Sequence, residues 1–171
     1  MATVNLRSKV LGFLLPALAA CTQPATSVFS EKLFRISLPG AWKQVSAQPD
    51  ELHWTFQSDR NEQVTVSIFL AQTRMESPEI TSTFERMLEL RRESEKSQSP
   101  GVVLTEAKVS EQRNARTAYY TGVEGNDRRT ADLLIVNGSG VANFYYEALG
   151  MSESAFLERA RQALGSVGFV E

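Results

Sequence analysis

The stretch TAYYTGVEGNDRRTADLLIVNGSGVANFYYEA, residues 117–148, decides the fold. Its apolar residues recur at every second position, the period of an extended chain with one face turned to a core. Thr117 to Val123, Thr130 to Val136 and Val141 to Ala148 read as strands. Gly125-Asn126-Asp127 and Asn137-Gly138-Ser139-Gly140 separate them as turns. Connections this short join antiparallel neighbours. The second turn sets Val136 opposite Val141, and the first sets Glu124 opposite Thr130. One sheet face then collects Tyr119, Val123, Leu133, Ile135, Phe144 and Tyr146, which is a core. The other collects Tyr120, Asp132, Asn143, Tyr145 and Glu147, with Leu134 among them.

Upstream the alternation continues. Phe34, Ile36 and Leu38 share a face before Pro39-Gly40, and Leu52, Trp54 and Phe56 share another. Val64, Val66, Ile68 and Leu70 follow the turn at Asp59 to Glu62. The period then changes: Ile80, Phe84, Met87, Leu88 and Arg91 recur at helical spacing behind Ser77-Pro78, which reads as cap and first turn. Ser99-Pro100-Gly101 ends that helix, and a further strand is expected over Val102 to Val109. A last helix starts near Ser152 and carries Phe156, Ala160, Ala163, Leu164 and Val167 as one stripe. The order is three strands, a helix, four strands and a helix. Short connections between so many strands predict an α+β fold, an antiparallel sheet of about six or seven strands flanked by helices.

Phe34, Ile36, Leu38-Pro39 and Trp42 open the folded part in a pattern that resembles the PsbP-like superfamily, which includes the bacterial lipoprotein DcrB. The strand and helix order from Leu33 to Val170 is similar too. The resemblance implies an α/β/α sandwich over residues 33–171. It implies no activity, since characterised members mostly bind and assist other proteins and carry no shared catalytic residues.

The N-terminus reads as an address. Arg7 and Lys9 precede an apolar run from Val10, and Leu18-Ala19-Ala20-Cys21 resembles the lipobox of a bacterial lipoprotein. The run is far short of the ~20 residues that span a bilayer as a helix. Residues 1–20 are therefore expected to be a removed signal, and Cys21, the only cysteine, to be the lipidation site. Thr22, where an inner-membrane lipoprotein of enteric type would carry Asp, favours the outer membrane. Residues 21–32 are expected to be an acylated tether reaching at most ~40 Å at ~3.5 Å per residue. Losing the signal removes two of the 18 Lys and Arg and none of the 20 Asp and Glu, leaving a net charge of −4. A mildly acidic domain has no electrostatic reason to bind nucleic acid.

Chemistry-bearing patterns are sparse. His53 is the only histidine, so no histidine-based metal cluster is expected, and neither a metal nor any other cofactor is implied. No Gly-x-Ser-x-Gly elbow occurs. Gly138-Ser139-Gly140 joins two strands and opens no helix, which suits a hairpin loop rather than a phosphate cradle. Glu85, Glu89, Arg92, Glu93 and Lys96 suit a solvated helix face. Arg113 and Arg116 lie ~25 Å from Arg128 and Arg129 along one strand, too far to form one anion site. Tyr120, Asp132, Asn143, Tyr145 and Glu147 remain as the candidate ligand or partner face. Asp132 and Glu147 on that face could divide acid and base roles if their environments separated their proton affinities. The expected function is that of a non-enzymatic, lipid-anchored, periplasm-facing envelope protein that binds or assists another envelope protein. The alternatives are a lipoprotein that neutralises a toxin or hydrolase, and an enzyme built on Asp132 and Glu147.

Overall fold

The strands of residues 117–148 form the centre of the main sheet. In the computed structural model, which describes residues 26–112, 114–125 and 127–169, three long strands lie side by side. These are β8 (Ala115–Glu124), β9 (Arg128–Asn137) and β10 (Gly140–Leu149). Val136 pairs with Val141 as expected. The tight turn depends on Gly140, which sits at φ +148°, where an added Cβ would meet the Phe69 carbonyl oxygen at 2.1 Å. Between β8 and β9 the register differs from expectation, because Glu124 faces Arg128 rather than Thr130. The strands run further into the turn than their apolar residues suggest, and an Arg128–Glu124 ion pair closes it at 2.9 Å. The slip is an even number of residues, so every side chain keeps its expected face.

β3 (Trp42–Gln48), β4 (His53–Ser58) and β5 (Glu62–Leu70) extend the sheet from β10, and β6 (Val103–Leu104) ends it beyond β8. The eight-stranded sheet is completed by β7 (Lys108–Gln112), also on β8. All the pairings between its strands are antiparallel. The single strand expected over Val102 to Val109 is thus two. At Thr105 the ladder is half kept: its N–H donates to the Thr121 carbonyl oxygen at 2.8 Å, while its Oγ1, in place of its carbonyl, accepts the Thr121 N–H at 2.9 Å. A second, three-stranded sheet runs β1 (Thr26–Ser30), β2 (Phe34–Pro39) and β11 (Gly168–Phe169). The expected tether therefore contributes a strand at its C-terminal end.

Each face of the main sheet is covered by different elements. The small sheet and α2 (Glu153–Leu164) close one side, where Phe34, Ile36, Leu38, Phe56, Val64, Val66, Phe144, Tyr146 and Phe156 form the larger core. On the other side α1 (Ser77–Gln98) sets Ile80 and Phe84 against Ala118, Leu134, Val136 and Val141. Ser77 is the first helical residue and not the cap. Glu76 takes the cap position, its N–H bound by Glu79 Oε2 at 2.9 Å. α2 stops before Val167, and Ser166 Oγ then donates to the Ser37 carbonyl oxygen at 2.8 Å, tying the chain to β2. No helix among the described residues is long and apolar enough to cross a membrane.

Candidate functional site

The face carrying Tyr120, Asp132, Asn143, Tyr145 and Glu147 is one face, as expected, but it is not open. α1 crosses it, leaving Tyr120 and Asp132 each 1 % exposed. Arg91, four residues beyond Met87 on the inward stripe of the helix, donates from Nη2 to Asp132 Oδ2 at 2.9 Å. The Asn143 amide, oriented to suit its neighbours, donates to Asp132 Oδ1 at 2.6 Å and accepts from Arg91 Nη2 at 3.2 Å. The Arg91 guanidinium lies 5.8 Å from the Tyr145 ring centre, and that of Arg92 lies 5.1 Å from the Tyr120 ring centre. Arg92 also donates to the Thr105 carbonyl oxygen. It is therefore not a purely solvated member of its charge run.

One turn beyond Arg91, Glu95 turns inward and is 5 % exposed. Thr130 Oγ1 donates to Glu95 Oε1 at 2.6 Å, while Oε2 is buried with no partner. Gly122 makes room for this arrangement, since a Cβ there would meet Thr130 Oγ1 at 2.5 Å and Glu95 Oε1 at 3.1 Å. Arg128 binds the opposite end, donating to Ser99 Oγ (2.7 Å), Glu124 Oε2 (2.9 Å), Tyr145 Oη (2.7 Å) and Glu147 Oε2 (3.0 Å). Beyond α1 the face opens into a polar cleft of about 260 Å³, lined by His53, Ser67, Glu95, Arg128, Tyr145 and Glu147 among others. His53 Nδ1 and Ser67 Oγ share a 3.0 Å hydrogen bond on its floor.

Burial sets the proton affinities. It pushes the Asp132 carboxyl up against the opposing pull of Arg91. It pushes Glu95 up as well, with the Asp132 charge adding to the effect. Burial raises the Tyr120 and Tyr145 hydroxyls too, so both stay neutral; Tyr120 Oη is buried with no hydrogen-bond partner among the described residues. Glu95 can hold a proton. Asp132 is held as the acceptor for Arg91 and Asn143. Among the described residues no group of three or more His, Cys, Asp or Glu could hold a metal ion.

Arg91, Glu95, Thr130 and Arg128 complete the network, and the sequence alone did not place any of them on this face. Arg91 carried a signal, a cation on an apolar helical stripe, and Glu95 continues the stripe one turn on. Arg128 hydrogen-bonds within the network, while Arg116 at the far end of β8 pairs with Glu111. Arg113 lies outside the described residues.

No family model and no curated protein matches this chain. Among solved structures it is similar to cyanobacterial PsbP (CyanoP) from Synechocystis sp. PCC 6803, at 14% identity and TM-score 0.61, over 92% of this chain and 99% of that one. A crystal structure from Bacteroides thetaiotaomicron VPI-5482 is similar at 12% identity and TM-score 0.50, covering 87% of this chain and 49% of that one. The Ran-binding protein Mog1p of Saccharomyces cerevisiae gives 9% identity and TM-score 0.49, over 86% and 97% of the two chains. At these identities the likeness is one of fold, and the fold of this chain is an α+β domain of PsbP-like architecture.

Proposed function

We propose that this chain is a lipid-anchored, periplasm-facing protein of the bacterial cell envelope whose domain binds or helps assemble another envelope protein. The observation that carries the reading is Leu18-Ala19-Ala20-Cys21 standing close ahead of the domain, whose first strand begins at Thr26. Two or three acyl chains on Cys21, each buried methylene contributing ~0.8 kcal/mol, hold such a domain stably at a bilayer. Thr26 lies beside Pro39 and Gly40, so the attachment leaves from the end of the fold that carries Trp42. That end would face the membrane. The PsbP-like architecture supports a binding role through the character of the superfamily it resembles. The buried state of Asp132, held by Arg91 and Asn143, weighs against an enzyme built on Asp132 and Glu147.

The test replaces Cys21 with serine and follows the protein by envelope fractionation. The wild-type chain is expected in the membrane fraction and the variant in the soluble periplasm. Equal membrane retention of the two would overturn the anchor. In-cell crosslinking of the wild-type protein that returns no reproducible envelope partner would overturn the binding role.

A further inference from the structure

The sheet face opposite α1 is not fully covered. α2 has 12 residues and spans ~18 Å at ~1.5 Å per residue; it packs mainly on β2, β9 and β10 and leaves β8 half-buried. A groove of about 380 Å³ results, floored by Tyr119 of β8, Leu133 of β9 and Leu157 and Leu164 of α2. Its rim carries Lys108 of β7 and Arg161 of α2. Both cations are exposed, and neither forms an ion pair among the described residues. Elsewhere Arg91, Arg116, Arg128 and Arg159 are each committed to a carboxylate. Two positive charges without a carboxylate partner among the described residues flank this apolar floor, in a chain whose formal net charge is −2.

We propose that this groove docks an acidic, apolar segment of a protein partner, one or more aliphatic or aromatic side chains filling the floor and an adjacent carboxylate bridging Lys108 and Arg161. The inference rests on the protein-binding reading above and adds the surface and the chemistry. Apolar anchors supply the affinity of such a contact. The charge pair selects the partner and speeds its arrival. A basic or neutral segment would leave both cations without a counter-charge.

The experiment uses the full chain in its native envelope, with a photo-crosslinking amino acid at Leu157 in the groove or at Thr55 on the opposite sheet face. Crosslinked peptides are mapped by mass spectrometry. The proposal expects adducts from Leu157 on a segment with Asp or Glu within two residues of an apolar side chain. It also expects at least a tenfold loss of yield with Lys108→Glu and Arg161→Glu together. Lys108→Gln with Arg161→Gln, which adds no negative charge, should give an intermediate loss. Unchanged thermal melting of these surface variants shows that the fold is intact. Adducts from Thr55 alone would overturn the groove and leave the binding role standing, whereas none from either position would overturn both. Adducts on lipid, on a segment without acidic residues, or insensitive to both charge variants would overturn the stated chemistry.

Discussion

Glu62 → Gln removes one charge from a site with almost no water. The Glu62 side chain is fully enclosed and accepts bonds from Arg159 Nε, Arg159 Nη2 (2.7 Å), Tyr146 Oη (2.7 Å) and Ser58 Oγ (2.7 Å). Arg159 Nη2 also donates to the Pro39 carbonyl oxygen, so one carboxylate links β5, β10, α2 and the end of β2. Glutamine keeps the shape but offers one acceptor oxygen and no charge. A hydrogen bond to a charged group is worth ~1.5–3 kcal/mol, and breaking a buried pair costs ~3–5 kcal/mol. Arg159 is 19% exposed and regains some hydration, which places the loss near ~3 kcal/mol. At ~2–4 °C per kcal/mol for a domain of this size, Tm should fall by about 10 °C. Burial by itself would raise the Glu62 pKa. The bonds from Arg159, Tyr146 and Ser58 outweigh it and hold the carboxyl below its ordinary value. A lowered pKa gives stability that is complete above the unfolded value and disappears as pH falls through the folded one. The penalty of the variant should therefore be full at neutral pH and shrink below about pH 4. Urea titrations followed by Trp42 and Trp54 fluorescence measure it. A variant within about 0.5 kcal/mol of wild type, or an equal penalty at acid and neutral pH, would refute the reasoning.

Glu95 carries the opposite sign. Its raised pKa means the protonated form is favoured in the fold, so this contribution is complete below the unfolded carboxyl value and is lost as pH rises through the folded one. Glu95→Gln should thus gain on the order of 1 kcal/mol over wild type at pH 8, with the difference closing toward pH 4, read from the same titrations. Gly122→Ala drives a methyl into Thr130 Oγ1 and Glu95 and should cost ~1–3 kcal/mol by thermal melting. Arg91→Met leaves Asp132 buried without its cation and should cost ~3–5 kcal/mol; pairing it with Asp132→Leu should recover most of that loss.

Local pattern was enough for strand and helix identity along most of the chain, for the antiparallel class and for the two faces of the central hairpin. These depend only on which neighbours along one strand are apolar. β3 escaped because, as an edge strand, it buries Trp42 alone and shows no alternation afterwards. The candidate face was legible as a set of residues on one side of the sheet. Its environment was not, because α1 lies far from β9 in sequence, and only the folded packing sets Arg91 on Asp132 and Glu95 on Thr130. Proton affinity, burial and the open groove beside α2 arise from how helices of given length cover a sheet, a property of the assembled layers. The chain order specifies the layers, and their fit against one another decides which polar groups are sealed and which face water.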